Sequence, residues 1–481
     1  MRVMKWLSVS LILMLAMSSR GLAQSAPEQK RPNVLFFLID DMGYRDLSCF
    51  GGERAKTPNI DRLAKEGMRF DQFYVASPIC SPSRVGFTTG QYPARWNITT
   101  FLSNRKENRD RGEADWLDPA APTLPRILAN NGYHTAHVGK WHMGGQRDVN
   151  DAPPITAYGF TTSLTSMEGM GDRILANFKP KADGEAFNHG PTESNAKHGG
   201  PDAQRVDRDK VSAAYVDRAI AEVKESQKQN KPFYINLWTD DVHSPMQAPE
   251  ERAGDGTPVA QYVGVLEELD EQVGRIFDML RNDPKLRDNT VILVSSDNGH
   301  ERGLGSGGTL RGSKGQLYEG GIRSPLIVWA PGLISAAANV TRNDKTVVQA
   351  IDVAPSVLAL AGISAPSDVK FDGVNLSQQM VGKSTAPRGA PVMWVRPSDR
   401  SGPQNSLPDL AIRDGNRKLL VDRDGTNAEL FDVMQDPDET TNLAAKHPDV
   451  VAKLSAQVIA WDKSITDAPG AISAAAPATA E

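Results

Sequence analysis

Residues 33–41 read NVLFFLIDD, a continuous apolar run that ends in two adjacent carboxylates. Apolar runs of this length are typical of strands in parallel sheets, because helices cover both faces of such a sheet. Asp40 and Asp41 repel each other unless a cation or hydrogen-bond donors neutralise them. Taken alone, the pair is equally well interpreted as the N-cap of a helix.

Segments of strand character alternate with segments of helix character on both sides of this run. The predicted strands cover residues 33–39, 70–75, 133–138, 232–238, 290–294 and 326–329. The predicted helices cover residues 57–67, 123–130, 210–229, 259–281 and 352–361. This alternation predicts an α/β fold with a large, mostly parallel, doubly wound sheet flanked by helices.

The character of the sequence changes near residue 387. Short strand-like segments separated by Asp-Gly turns are followed by a helix at 448–463, and these predict a small domain of antiparallel sheet plus one helix. We therefore expect a catalytic domain at 24–386 and a small C-terminal domain at 387–466. Residues 467–481 are rich in Ala and Pro and are expected to be disordered.

The amino-terminal residues 1–23 have a basic start, an apolar middle and small residues at Gly21 and Ala23. This pattern predicts a secretory signal peptide and a periplasmic or secreted protein. The apolar run is too short to span a membrane, so no stable membrane anchor is expected. Cys49 and Cys80 are the two cysteines of the chain, and an oxidising compartment permits but does not force their pairing.

The composition is that of a soluble globular protein, with 481 residues, 39% hydrophobic and 23% charged. The formal net charge of −5 gives no support to nucleic-acid binding. An anionic substrate would therefore have to be attracted by a local basic site. The oligomeric state does not follow from the sequence.

Polar residues cluster at the ends of the predicted strands, where ligands bind in open α/β sheets. They are Asp40, Asp41, Cys80, Lys140, His142, His243, Asp297 and Asn298.

The segment SPICSPSRVGFTTG at 77–90 follows the second predicted strand. Pro82 suits the first turn of a helix, and a helix start favours negative charge. Arg84 adds a permanent cation with a planar fork that suits oxyanions. A lone Cys before a helix is more often a buried structural residue, so the chemistry depends on the surrounding motif.

The segment from Cys80 to Arg84 resembles the Cys-x-Pro-Ser-Arg signature of type I, formylglycine-dependent sulfatases of the alkaline phosphatase superfamily. Further segments resemble the same family across nearly the whole mature chain. They are 33–41, GKWHMG at 139–144, DNG at 297–299, Lys314 with YEGG at 318–321, ELFDV at 429–433 and DPDETTNL at 436–443.

The resemblance implies a role for each motif. Cys80 would be oxidised by a formylglycine-generating enzyme, and the hydrated aldehyde would be the nucleophile. Asp40, Asp41, Asp297 and Asn298 would bind one divalent cation. Three carboxylates and one amide form an oxygen ligand set suited to Mg²⁺ or Ca²⁺ rather than Zn²⁺, and the number of carboxylates favours Ca²⁺. The sulfate pocket would be lined by Arg84, Lys140, His142, His243 and Lys314. His142 would then accept a proton from the hydrated aldehyde, and His243, with Lys314, would protonate the leaving oxygen.

The resemblance and the export signal together predict a hydrolase that removes sulfate from a sulfated carbohydrate. Residues 97–118 and 151–208 are interpreted as specificity loops, the second as long active-site loops rather than a domain. His300 either contacts the sugar or caps a turn. The alternatives are an arylsulfatase, a phosphoester or phosphonate hydrolase of the same superfamily, and a non-catalytic secreted binding protein. The binding protein would be expected to lack motif positions, and none is lost.

Overall fold

The computed structural model of the chain describes residues 31–145, 149, 151–166, 173–178, 203–334, 341–397 and 407–466. The predicted signal peptide at 1–23 and the predicted tail at 467–481 lie outside these residues. The predicted domain boundary between residues 386 and 387 stays a prediction.

The main sheet contains eleven strands within the described residues. They are β1 Asn33–Ile39, β2 Met68–Tyr74, β3 His134–Lys140, β4 Thr162–Ser166, β5 Arg173–Phe178, β6 Ala203–Val206, β7 Phe233–Thr239, β8 Thr290–Ser296, β9 Arg323–Trp329, β10 Arg342–Asn343 and β11 Val348–Gln349. Their order is β10-β2-β9-β8-β1-β7-β3-β4-β5-β6, and β11 also pairs with β2.

The centre of the sheet is parallel. Strand β1 pairs in parallel with β7 and β8, and β3 pairs in parallel with β7 and β4. Strand β2 runs in the same direction, because it is antiparallel to β9, which is antiparallel to β8. The carboxyl ends of these strands therefore meet at one edge, which confirms the predicted α/β class and the placement of the polar residues.

Helices cover both faces of the sheet. The described helices are α1 Pro58–Glu66, α2 Cys80–Thr89, α3 Arg105–Arg111, α4 Leu124–Asn130, α5 Val211–Lys228, α6 Pro258–Asn282, α7 Pro284–Arg287, α8 Glu319–Ile322, α9 Val353–Leu360, α10 Ser377–Met380 and α11 Pro448–Thr466. Strand β1 shows why its sequence is apolar throughout. On one face, the ring of Phe36 lies 5.1 Å from that of Phe87 in α2, and on the other Phe37 lies 6.0 Å from Phe277 in α6.

A second sheet lies in the C-terminal region, as predicted. Its antiparallel strands are β12 Val392–Val395, β13 Leu410–Asp414, β14 Arg417–Val421 and β15 Glu429–Asp432. Its apolar side chains belong to the same hydrophobic core as one face of the main sheet. Trp394 joins the two sheets, because its Nε1 donates to the carbonyl of Val75 at 2.7 Å.

The interpretation of residues 151–208 as loops is wrong where the structure describes them. Strand β4 pairs in parallel with β3, and β5 and β6 continue the sheet in antiparallel fashion. The sequence of β4 is TSLTS, in which only Leu164 is apolar, so it lacks an apolar run. Residues 167–172 and 179–202 lie outside the described part. Among the described residues, no helix is long and apolar enough to cross a membrane.

His137 of β3 is buried inside an aromatic cluster. Its ring lies 5.4 Å from Trp141, 5.3 Å from Phe160 and 5.4 Å from Trp238. Burial, helped by the positive charge of Arg84, lowers the pKa of His137 to about 3. The residue is therefore neutral in the folded protein at neutral pH.

We expect His137 to weaken the protein in acid. The ordinary His pKa is 6.5 and the folded value about 3, so the unfolded chain binds more protons in this window and stability falls as the pH drops. His137→Phe keeps the aromatic packing and should flatten the dependence of the unfolding free energy on pH between those values. Phe277→Leu is a control, because Phe277 packs on Phe37 and not on His137, and it should lower stability equally at every pH. An unchanged slope in His137→Phe would contradict the assignment.

Candidate active site

Cys80 is the first residue of α2, as the Pro82 position predicted. The preceding residue, Ile79, is extended, and every side chain of the helix is buried. Burial raises the pKa of the Cys80 thiol to about 12, despite the nearby charges of Lys140 and Lys314. The unmodified thiol is therefore protonated at neutral pH and is a weak nucleophile.

Two segments bring three carboxylates to this helix start. Asp40 and Asp41 form a turn after β1, so the alternative of a helix N-cap is wrong. Asp297 follows β8, and its Oδ1 accepts the backbone N–H of Asp41 at 3.2 Å. One side-chain atom each of Asp40, Cys80 and Asp297 lies within 4.8 Å of the others. Asp41 adopts a left-handed backbone with φ of 57°, a conformation that non-glycine residues seldom adopt outside constrained sites.

Two cations hold Asp40 and Asp297. Arg84 is fully buried and donates from Nε and Nη2 to Asp297 Oδ2 at 2.9 and 2.7 Å. Its Nη1 donates to the carbonyl of Lys140 at 2.6 Å, and Lys140 Nζ donates to Asp40 Oδ2 at 2.7 Å. Burial would raise the pKa of Asp40, but Lys140 and Arg84 outweigh it and hold that pKa well below its usual range.

Asp41 is held by partners from other elements. Lys314 Nζ donates to Asp41 Oδ2 at 2.6 Å, and Asn298 Nδ2 donates to Asp41 Oδ1 at 2.7 Å. His243 Nε2 lies 3.6 Å from the same Oδ2. The four predicted cation ligands and the two predicted lysines therefore lie in one cluster with Cys80.

The two site histidines have defined tautomers because each contacts a carbonyl, which can only accept. Nδ1 of His243 donates to the carbonyl of Ser244 at 2.7 Å, so Nε2 faces Asp41. Nε2 of His142 donates to the carbonyl of Leu102 at 3.2 Å, which leaves Nδ1 as the basic nitrogen. Burial and the charge of Lys140 lower the pKa of both histidines, so both are neutral around pH 7.

The predicted specificity loop at 97–118 contacts the site directly. The backbone N–H of Leu102 donates to Ser81 Oγ at 3.0 Å, and its carbonyl accepts from His142. His300 is less directly placed. Its side chain packs against Gly305 and Gly307, while its carbonyl accepts the N–H of Lys314 at 3.0 Å. Its predicted contact with a sugar stays a prediction.

Two residues that support the site were missed from the sequence. Asp46 is buried and accepts the backbone N–H of Ser306 at 2.9 Å and the hydroxyl of Tyr262 at 2.7 Å. It therefore anchors the Gly-rich loop at residues 303–312, which precedes Lys314. Arg208 donates from Nη2 to the carbonyl of His243 at 2.6 Å. Neither contact has a signal in spacing or periodicity.

The donor set fits a hard divalent cation. Asp40 Oδ1 and Asn298 Oδ1 are buried and accept no hydrogen bond, and such orphaned oxygens are rare in folded proteins. Burial and the neighbouring Asp40 raise the pKa of Asp297 to about 7, a sign of crowded negative charge. A cation bound by these oxygens would give the unbonded oxygens a partner and would reduce the repulsion between the carboxylates.

A helix-starting cysteine among carboxylates and cations at the carboxyl edge of a parallel sheet defines a hydrolase site for anionic esters. Residues 32–363 match the sulfatase family model, and residues 313–464 match that of the N-sulphoglucosamine sulphohydrolase C-terminal region. The chain belongs to the sulfatase family, type I, of the alkaline phosphatase superfamily, and it is a sulfatase. The resemblance seen in the sequence is thereby confirmed.

Similar proteins cover most of the chain. N-acetylgalactosamine-6-sulfatase of Canis lupus familiaris is 31% identical over 80% of this chain and 72% of its own. Human arylsulfatase A is 30% identical over 92% of this chain and 89% of its own. The crystal structure of Ps i-CgsB in complex with k-i-k-neocarrahexaose has a TM-score of 0.73 and 25% identity, covering 90% of this chain and 93% of its own.

Proposed function

We propose that this sulfatase is exported and removes sulfate from a sulfated carbohydrate, using formylglycine formed from Cys80 and one divalent cation, with Ca²⁺ favoured. The observation that carries the proposal is the convergence of Cys80, Asp40 and Asp297 within 4.8 Å. Lys140, bonded to Asp40, and Lys314, bonded to Asp41, supply positive charge beside this group.

The local charge explains why a cation is needed. Three carboxylates face three permanent cations, Arg84, Lys140 and Lys314, so the protein groups alone come close to balance. A divalent cation on Asp40, Asp41, Asp297 and Asn298 makes the site positive and so attractive to a sulfate ester. When present, the cation supplies polarisation of a sulfate oxygen, and the hydrated aldehyde supplies the nucleophilic oxygen.

The three protein cations differ in what they can reach. Arg84 is fully buried and donates to Asp297 and to the carbonyl of Lys140, so it acts on the substrate through the residues it orients. The side chains of Lys140 and Lys314 are 5% and 17% exposed. Lys314 is therefore the more accessible of the two for a sulfate oxygen, where it offsets charge in the transition state.

The histidines supply the proton transfers. Nε2 of His142 donates to the carbonyl of Leu102, so we expect its Nδ1 to hold the proton taken from the nucleophile. His243 is 27% exposed and presents Nε2 beside Asp41 and Lys314, where the leaving oxygen would depart. The negative charge of a bound sulfate ester favours the protonated form of His243, which then protonates the leaving oxygen together with Lys314.

The comparisons support a carbohydrate substrate. The relatives include enzymes named for sulfated N-acetylgalactosamine and a structure bound to a neocarrahexaose. Similarity to arylsulfatase A over 92% of the chain favours arylsulfatase activity as a second candidate. A formylglycine-generating enzyme is the partner that the Cys80 motif requires.

Cys80→Ala should abolish sulfatase activity, because alanine cannot be oxidised to the aldehyde whose hydrate is the proposed nucleophile. Peptide mass spectrometry of active protein should show residue 80 with the mass of an aldehyde in place of the thiol. Cys49→Ala is the matched control, since Cys49 is the other free cysteine. Full activity in Cys80→Ala would exclude the proposed nucleophile.

Removal of the divalent cation should lower both activity and thermal stability, because a ligand that binds only the folded state stabilises it, by about 2.7 kcal/mol at a hundredfold excess over Kd. Asp297→Ala should lose activity and no longer gain melting temperature on addition of Ca²⁺. Asp46→Asn, a buried carboxylate under the Gly-rich loop, should still respond to Ca²⁺. Stoichiometric zinc in the active protein would contradict the oxygen ligand set.

The substrate class is tested by a panel of defined sulfated mono- and oligosaccharides beside 4-nitrophenyl sulfate and 4-nitrophenyl phosphate, with released anion measured. We expect at least one sulfated sugar to show the highest kcat/KM. If the aryl sulfate were turned over with much higher kcat/KM than every sugar, arylsulfatase activity would replace the carbohydrate proposal. Preference for the phosphate ester would identify a phosphoester hydrolase.

A further inference from the structure

The C-terminal segment DPDETTNL at 436–443 forms a tight turn that directs Glu439 inward. Asp436 Oδ1 accepts the N–H of Thr440 at 3.1 Å, and its Oδ2 accepts that of Thr441 at 2.8 Å. Glu439 itself adopts a left-handed backbone with φ of 53° and is 2% exposed. A non-glycine residue in this conformation is held there by its surroundings.

Glu439 belongs to a buried ionic cluster with Lys418 and Glu319. Lys418 on β14 is fully buried, and its Nζ lies 3.1 Å from Glu319 Oε1 and 2.8 Å from Glu439 Oε1. Oε2 of Glu439 accepts the backbone N–H of Glu319 at 2.7 Å. Oε2 of Glu319 accepts the hydroxyl of Tyr74, also at 2.7 Å. Lys418 of the C-terminal sheet therefore holds the side chain of Glu319, and Glu439 of the following turn holds its backbone.

Glu319 begins α8, a short helix that follows Lys314 closely in the chain. The carbonyl of Gly321 in α8 accepts the N–H of Gly299, the neighbour of Asn298, at 3.0 Å. At the other end, Gly315 donates to the carbonyl of Pro78, just before Cys80, at 2.8 Å. Segment 314–322 thus links the C-terminal cluster to the cation ligand, the nucleophile position and the accessible lysine.

This segment has little room to adjust. A Cβ on Gly321 would overlap the carbonyl of Gln316, so the backbone turns of the segment lie in direct contact. We therefore expect a shift of Glu319 to reach Lys314. Buried ion pairs are weak evidence for stability, because their desolvation cost offsets their attraction. The cluster needs an explanation other than the strength of the fold.

We propose that Lys418 and Glu439 are positioning residues of the sulfatase reaction, which hold segment 314–322 so that Lys314 is directed at the sulfate group. The inference rests on the proposed function, in which Lys314 contacts the substrate. It assigns the small C-terminal sheet a part in catalysis.

The test is a double-mutant cycle on kcat, with the best substrate of the panel. Lys418→Met keeps the length of the side chain and removes its charge, and we expect it to lower kcat at least about tenfold. In a Lys314→Ala background, the same substitution should change kcat less than about threefold, because the group it positions is absent. Glu439→Gln is the milder variant, since one amide oxygen cannot serve both Glu319 and Lys418, and it should show the same coupling.

The control is Arg388→Met, which breaks another buried ion pair, Arg388 with Asp352. The other hydrogen bonds of this pair run to Gln349, Val374, Ala390 and Pro391, outside segment 314–322. All variants are assayed at a temperature at which circular dichroism shows that they are fully folded. Arg388→Met should lose melting temperature yet reduce kcat equally in both backgrounds. The inference would be overturned if Lys418→Met and Glu439→Gln each reduced kcat by the same factor in the wild-type and Lys314→Ala backgrounds. Full activity in Lys314→Ala alone would instead overturn the proposed role of Lys314, and the inference with it.

Discussion

The structure depends on the neutralisation of three buried carboxylates at one edge of the sheet. Each carboxylate is matched by a cation from a distant part of the chain: Asp40 by Lys140, Asp41 by Lys314 and Asp297 by Arg84. An unpaired charge in such a place costs several kcal/mol, so each pair must form as the sheet closes. Closure of the sheet and assembly of the site are therefore energetically linked.

This dependence explains how much could be predicted from the sequence. Apolar runs end abruptly in carboxylates at Asp40 and Asp297. Burial of such a carboxylate is unfavourable unless a cation or hydrogen-bond donor neutralises it, so this pattern indicates the ligand-binding edge of a parallel sheet. The strands of the central sheet and the C-terminal antiparallel sheet were predicted for the same reason, since their apolar patterns record burial. Cys80 alone carried no such signal, and only its motif separated it from a structural cysteine.

What could not be predicted has a physical reason as well. Strand β4 lies towards the edge of the sheet and needs one buried side chain, Leu164, so its sequence resembles a polar loop. Contacts between a side chain and a distant backbone group produce no periodic pattern in the sequence. Examples are Asp46 with Ser306 and Arg208 with His243. Arg84 donates to Asp297 and to the carbonyl of Lys140, two partners that the sequence does not reveal, while its predicted place in the sulfate pocket stays a prediction.

The balance of charge also bears on selectivity. A cluster of exposed lysines would attract any anion, but here Lys140 and Lys314 are each bonded to a carboxylate and the chain as a whole is acidic, with a formal charge of −5. Long-range attraction of anions is therefore weak, and the positive charge that the proposed divalent cation would add lies in a small buried region. On the proposed function, an anionic ester would gain from this charge only on entering the pocket far enough to meet the lysines and the cation site together. We therefore expect recognition to depend on the shape and contacts of the surrounding loops as well as on charge, and the loop at 97–118, which bonds to Ser81 and His142, is well placed to contribute.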